Sequence, residues 1–280
     1  MTIAEALRAA TQRLFATSDT ARLDAEWLMS HALGVTRSDL LLWHMDAPEP
    51  AGFAALLERR ARREPVAYIL GEAEFFGRSF GVNSDVLIPR GDSESVVAAA
   101  LEVAPGAGRV LDLGTGSGAL LLTLLAERDR LEGVGIDVSP GAVAMAGANA
   151  ARLGVGARAR ILRADWRAPG WAADLGRFNL VIANPPYVET SAALDPDVRE
   201  FEPAGALFAG VDGLDEYRII VPQLPELLKE GGVAVLEIGA GQADPVTQIA
   251  AESGFSVELR RDLAARARAL VLHKGLAKRL

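Results

Sequence analysis

The rhythm of apolar and polar positions changes twice along this 280-residue chain. Over residues 1–73 apolar side chains recur at helical spacing, as in Ile3, Ala6, Leu7 and Ala10, then Leu23, Trp27 and Leu28. Breaks fall near Gly34 and at Pro48 and Pro50, so the pattern predicts a small bundle of about four or five helices. Residues 74–89 are aromatic and glycine-rich (Phe75-Phe76-Gly77, Phe80-Gly81-Val82), which suits a β-hairpin acting as a linker. From residue 90 to 280 short apolar runs alternate with helical stretches. Strands are expected at 109–113, 133–137, 159–162, 178–183 and 233–238. Helices are expected at 96–103, at 118–127 and from a Ser139 cap to about 153. Such alternation predicts an α/β fold, a parallel sheet with helices on both faces. Two closely spaced runs at 256–259 and 269–272 add an antiparallel edge hairpin.

Composition narrows the chemistry. Half of the residues are apolar and about a quarter are charged, as in ordinary globular domains. The chain has no cysteine, which excludes disulfides, thiolate metal sites and a cysteine nucleophile. Its three histidines, His31, His44 and His273, are far apart in sequence, so no metal centre is expected. The longest apolar run, 119–125, is too short to span a bilayer. The first residues lack the basic-then-apolar pattern of a signal peptide, so a cytoplasmic protein without membrane partners is expected. A net charge of −8 argues against broad binding to a nucleic-acid backbone. The basic run Arg59, Arg60, Arg62 and Arg63 reads either as a solvated helix face or as a docking patch for an acidic or RNA-rich partner.

Candidate chemistry falls where two of the strands end. Val110-Leu111-Asp112-Leu113 runs into Gly114-Thr115-Gly116-Ser117-Gly118, a strand–loop–helix junction. Glycines there permit positive φ and close approach of backbone to a ligand. The loop alone fits NAD, FAD or S-adenosylmethionine. Asp137 ends the next strand, where a carboxylate can accept from both hydroxyls of a ribose. Asp165 and Trp166 follow the third strand; the carboxylate suits an adenine amine, and the indole suits either an adenine face or the core. Asp112 suits the cofactor's amino group or the amides of the loop.

Asn184-Pro185-Pro186-Tyr187 follows the strand at 178–183. An amide or aromatic amine is a poor nucleophile because its lone pair is delocalised. The Asn184 side-chain oxygen and the Pro185 carbonyl can accept from both of its N–H groups and turn the lone pair toward an electrophile. Two prolines preorganise those acceptors, and Tyr187 can lie against a planar group. No strong base is needed before attack, because the nitrogen becomes acidic as it is alkylated.

With these residues in view the chain resembles the class I S-adenosylmethionine-dependent methyltransferases. More narrowly, it resembles the HemK family of peptide-chain-release-factor glutamine N5-methyltransferases. The resemblance runs through Glu64-Pro65, Tyr68-Ile69-Leu70-Gly71, Ile88-Pro89-Arg90, Asp92-Ser93-Glu94, Glu202-Pro203, Asp212-Gly213-Leu214, Glu237-Ile238-Gly239 and Gln242. Gly91 stands where the family usually has proline, and Ser93 where threonine is usual. Asn-Pro-Pro-Tyr is shared with adenine-N6 methyltransferases, and a ribosomal-protein glutamine is the nearer alternative substrate. The resemblance implies a Rossmann-like sheet, with S-adenosyl-L-methionine as cofactor and S-adenosyl-L-homocysteine as product. The implied substrate is the glutamine of the Gly-Gly-Gln motif of class 1 release factors, in translation termination. It also implies that residues 1–73 recognise the release factor. Cofactor contacts would come from Asp112, Gly114, Thr115, Gly116, Ser117, Gly118, Asp137, Asp165, Trp166 and Asn184. Substrate contacts would come from Asn184, Pro185, Pro186, Tyr187, Ile88 and Arg90, with Asn184, Pro185 and Tyr187 carrying catalysis.

Overall fold

The computed structural model describes residues 1–262 and 264–274. The chain divides into two compact units, one of residues 1–72 with 194–202, the other of 73–193 with 203–280.

The first unit holds α1 (Ile3–Leu14), α2 (Ala21–Leu33), α3 (Arg37–Trp43), α4 (Phe53–Ala61) and α5 (Val66–Leu70). Thr2 and Glu5 close a capping box on α1, each side chain bonding the other's backbone N–H. Ile3, Leu7, Ala10, Leu28, Met29, Leu40 and Phe53 form its core. Leu23 and Trp27 fall outside that core, 38% and 43% exposed; Ala21, Ala25 and Leu28 turn inward instead. The arginine run is neither a solvated face nor a free patch. Arg60 is only 6% exposed and donates to Asp24 (2.6 Å) and to Asp197 (2.6 Å) of the short helix Pro196–Phe201. Arg63 reaches the other oxygen of Asp197 at 3.2 Å, Arg59 grips Glu64, and Arg62 stays exposed. A buried guanidinium between two carboxylates is what ties segment Leu194–Glu202 to this unit.

The second unit begins within a hairpin, β1 (Glu72–Phe75) and β2 (Arg78–Gly81), at Ala73. Its two-residue turn puts Phe76 and Gly77 at φ 52° and 69°, the left-handed pair that matches strand twist. Then follow α6 (Glu94–Val103), β3 (Gly108–Leu113), α7 (Ala119–Glu127), β4 (Leu131–Asp137), α8 (Pro140–Arg152), β5 (Ala159–Arg163) and β6 (Phe178–Ala183). The helix Pro196–Phe201 is α9. After it come α10 (Asp215–Ile220), α11 (Leu224–Leu227), β7 (Leu228–Glu237), α12 (Ala243–Glu252), β8 (Phe255–Arg261) and β9 (Ala267–Lys274).

The seven-stranded sheet has the order β5-β4-β3-β6-β7-β9-β8. Five strands are parallel, and β9 and β8 pair antiparallel at one edge. Strand β7 starts earlier than its apolar run suggests, because the Gly231-Gly232 stretch is absorbed as a shift in its register with β6. Alternate residues of the central strands feed two cores. Leu111, Val181 and Ala183 pack on one face, while Val110, Leu180 and Ile182 pack on the other.

Candidate active site

Because β3 to β7 are parallel, their carboxyl ends share one side of the sheet. Strand order reverses between β3 and β6, and ligand crevices form at such a point. A cavity of about 500 Å³ opens there. Its wall takes Asp112, Gly114, Thr115, Gly116 and Ser117 from the β3–α7 loop and Asp137 from β4. Asp165 and Trp166 come from beyond β5, Asn184 and Pro186 from beyond β6, and Arg90 and Ser93 from the segment before α6.

The glycine loop is held from several sides. Gly114 and Thr115 N–H donate to the Ile136 carbonyl (3.0 and 2.8 Å), and Gly116 N–H donates to Asp137 Oδ2 (2.9 Å). The other oxygen of Asp137 accepts from Ser139 N–H at 2.9 Å. Gly118 caps α7 at φ 84°, where a Cβ would meet Leu122. The buried Asn149 amide accepts from Gly81 N–H and donates to the Gly81 and Ser117 carbonyls (2.7, 2.9 and 2.8 Å), joining hairpin to loop.

Asp112 is 1% exposed. One carboxylate oxygen accepts from the Thr115 hydroxyl at 2.7 Å; the other has no hydrogen-bond partner among the described residues. Burial, opposed by the Thr115 bond and reinforced by Asp137, pushes this carboxyl up to about 7. A buried acceptor at the wall of a cavity is a receptor for a cationic or N–H donor group.

Trp166 packs against the core and also lines the cavity. Its ring flanks the first core and stands against Gly114, where a Cβ would lie 3.2 Å from the indole. Its Nε1–H donates to Glu216 at 2.8 Å, and Glu216 also pairs with Arg167. The ring is therefore fixed in orientation at the cavity wall.

The Asn-Pro-Pro-Tyr loop divides. Asn184 and Pro186 line the cavity, while Pro185 and Tyr187 do not. Tyr187 turns its hydroxyl to Glu237 Oε1 at 3.3 Å, and its carbonyl accepts from Gln242 at 3.0 Å. The ring is thus engaged by the end of β7 rather than lying along the cavity wall, and burial pushes its hydroxyl up to about 12. Asn184 Nδ2 donates to Ser93 Oγ at 3.3 Å. Ile88 likewise lies outside the wall, its neighbours Leu87 and Pro89 lining it instead, and Gly118 sits behind the loop as a cap.

Three side chains beside these motifs were not singled out for a role by sequence alone: Ser93, Glu216 and Glu237. Glu237 ends a parallel strand as Asp137 does, and that position was the available signal. Glu237 is 1% exposed; one of its carboxylate oxygens accepts from Tyr187 and the other has no hydrogen-bond partner among the described residues, and burial, opposed by nearby Ser93, Arg268 and Tyr187, raises its carboxyl to about 7. Among the described residues no cluster of His, Cys, Asp or Glu is placed to hold a metal ion, and no helix is long and apolar enough to cross a membrane.

A model described as the PrmC N-terminal domain matches residues 5–71, and one described as a methyltransferase small domain matches residues 91–201. The chain is 45% identical over 245 residues to the release factor glutamine methyltransferase of Geobacter sulfurreducens, covering 85% of this chain and 84% of that one. It is 44% identical to the protein of the same name from Cereibacter sphaeroides, covering 91% and 92%. Among solved structures, a methyltransferase from Pyrococcus furiosus shares the fold at TM-score 0.54 and 15% identity, over 80% of this chain and 100% of that one. A ribosomal protein L11 methylase from Lactobacillus delbrueckii subsp. bulgaricus does so at TM-score 0.50 and 21% identity, over 70% and 84%.

Proposed function

Since the chain belongs to the release factor glutamine methyltransferase family, we propose that it methylates the side-chain nitrogen N5 of the glutamine in the Gly-Gly-Gln motif of class 1 peptide chain release factors. The methyl donor is S-adenosyl-L-methionine, the setting is cytoplasmic, and the modified protein acts in translation termination. One observation carries the reading. A single cavity holds both a buried carboxylate oxygen without a partner, on Asp112, and the Asn184 amide with its nitrogen already engaged by Ser93.

The residues present fit the cofactor. Asp112 Oδ1 would receive its ammonium group, Asp137 its ribose hydroxyls, and Asp165 with the pinned Trp166 ring its adenine. Gly114, Thr115, Gly116 and Ser117 allow the close backbone approach. When bound, S-adenosylmethionine supplies an electrophilic methyl on a sulfonium, which carries the driving force.

The protein's own work is orientation. With Nδ2 held by Ser93, Asn184 has its oxygen left to accept one N–H of the substrate amide; the carbonyl of Pro185, whose ring lies off the cavity wall, would accept the other. Both acceptors draw the nitrogen toward tetrahedral geometry and localise its lone pair. Pro186 walls the pocket, and Arg90 lies on the same wall where the glutamine backbone would enter. Tyr187, tied to Glu237 and Gln242, fixes the loop from behind.

Release-factor recognition falls to the first unit, where Phe15, Leu42, Trp43 and Trp27 expose large apolar surface (81, 67, 75 and 43%). Peptide-mapping mass spectrometry of unmodified release factor after incubation with this protein and S-adenosylmethionine tests the chemistry. One added methyl on the Gly-Gly-Gln glutamine is expected; cofactor binding with no methyl there sinks the reading.

A further inference from the structure

We propose that Glu216 is a positioning residue for the cofactor: it holds the Trp166 indole in the one orientation that makes the ring a wall for adenine. The inference rests on the reading that Trp166 faces the adenine of S-adenosylmethionine.

Packing alone does not fix this ring. Trp166 and Arg167 line the active-site cavity, and both also line a second cavity of about 580 Å³. Pro169, Trp171, Gln223 and Leu227 stand on the wall of the second cavity and not of the first. Close packing is what normally keeps a side chain in one rotamer, and open volume beside residue 166 relaxes it. The far edge of the ring, Cη2 and Cζ3, rests over Gly114, 3.2 and 3.3 Å from where a Cβ would stand. Glycine offers that edge no side chain to grip.

Hydrogen bonds from α10 supply what packing does not. Glu216 is 4% exposed, and its Oε2 accepts from Trp166 Nε1–H at 2.8 Å. An indole can only donate, and Nε1–H is its one donor, so this bond fixes the single polar point of the ring. Glu216 Oε1 accepts from the guanidinium of Arg167, a side chain 55% exposed. Both carboxylate oxygens are thus engaged by the wall itself, and the influence of Glu216 on a cofactor runs through Trp166. The main chain of Trp166 is held from the same side. Gln223 Oε1 accepts from Trp171 Nε1–H at 2.6 Å, which sets the direction of its amide. Gln223 Nε2 then donates to the carbonyls of Trp166 (3.1 Å) and Ile219 (2.8 Å). Arg167 N–H in turn donates to Asp165 Oδ1 at 2.8 Å, so the two side chains expected at the adenine belong to one braced segment.

The test is calorimetry with S-adenosylhomocysteine on the full chain, comparing wild type, E216A, E216Q, W166F and the double variant W166F/E216A. E216A should raise the Kd about tenfold, the size of one lost hydrogen bond to a charged group. W166F keeps a ring but has no N–H for Glu216, and should weaken binding by a similar factor. The double variant should match W166F within about twofold, because two residues that act as one unit are not additive. E216Q keeps an acceptor oxygen for the indole and should recover most of the affinity. In methylation assays the E216A defect should fall on KM for S-adenosylmethionine more than on kcat. Losses that multiply in the double variant would show Glu216 acting independently of Trp166 and overturn the proposal; wild-type affinity in E216A would do the same. A second readout needs no ligand. The Trp166 indole N–H, identified by its absence from the 15N spectrum of W166F, should exchange slowly with solvent in wild type and E216Q and rapidly in E216A. Slow exchange in E216A would also count against the proposal. A wild type that binds S-adenosylhomocysteine but methylates no glutamine speaks against the functional reading alone; multiplied losses speak against this one.

Discussion

Asp112→Asn isolates the cost of the buried carboxylate. The folded chain holds Asp112 near 7, against an ordinary value of 3.8, chiefly by burial. A carboxyl raised on folding stabilises the fold while protonated; that contribution is full below about pH 4 and lost as pH climbs through 7. At ~1.4 kcal/mol for each pH unit between the two values, the ionised form costs the cofactor-free chain about 4 kcal/mol. Between pH 5 and pH 8 the loss from this group is about 2–3 kcal/mol. Asparagine has the same shape, accepts the same Thr115 hydroxyl, and does not titrate. Urea unfolding of wild type and D112N, followed by tryptophan fluorescence at both pH values, reads the difference directly. The stability gap in favour of D112N should widen by about 2–3 kcal/mol from pH 5 to pH 8. S-adenosylmethionine should reverse the order at pH 8, because its ammonium group compensates the carboxylate and finds no charge in D112N. Calorimetry in buffers of different ionisation enthalpy should show wild type releasing protons on cofactor binding near pH 7, and D112N not. A gap that is the same at pH 5 and pH 8 would refute the buried-charge argument, whatever the activities.

Asn184→Ala removes the substrate acceptor; kcat at saturating cofactor should fall about 10²–10³-fold, measured by single-turnover kinetics. Asp137→Ala loses the acceptors of Gly116 and Ser139 N–H, so the Kd for S-adenosylmethionine should rise at least about tenfold, measured by calorimetry. Gly213→Ala would set a Cβ against the Tyr187 carbonyl and 2.7 Å from Gln242 Nε2, at φ 70°. It should lower kcat through the Asn-Pro-Pro-Tyr loop, and wild-type turnover would discard that view. Trp43→Ala removes exposed apolar surface from the first unit. It should raise KM for whole release factor and leave KM for a short Gly-Gly-Gln peptide alone; equal effects would place recognition elsewhere.

The sheet was legible because its signals are local. Runs such as Val110-Leu111 and Leu180-Val181-Ile182 are buried on both faces and read as continuous apolar strands. Ser139 and Pro140 announce α8, and Ala142 N–H does bond the Ser139 hydroxyl at 3.2 Å. Gly114 to Ser117 of the glycine loop and Asp137 lie at strand ends, where chemistry is expected, and they line the cavity. The arginine run misled for the same reason. Its helical spacing says nothing of Asp197, 137 residues away, which makes Arg60 an internal residue.

Sequence by itself determined the class of fold, the order of its elements and the glycine, aspartate and Asn-Pro-Pro-Tyr loops, because periodicity and turn chemistry act over a few residues. Tertiary structure alone decided which polar groups lose water. It left one oxygen of Asp112 without a partner, turned Tyr187 toward Glu237, and folded residues 194–202 with the first unit. It also set Ser93 against Asn184 across 91 residues of chain. Those outcomes depend on burial and on contacts between distant segments, and neither writes a pattern into the neighbouring residues.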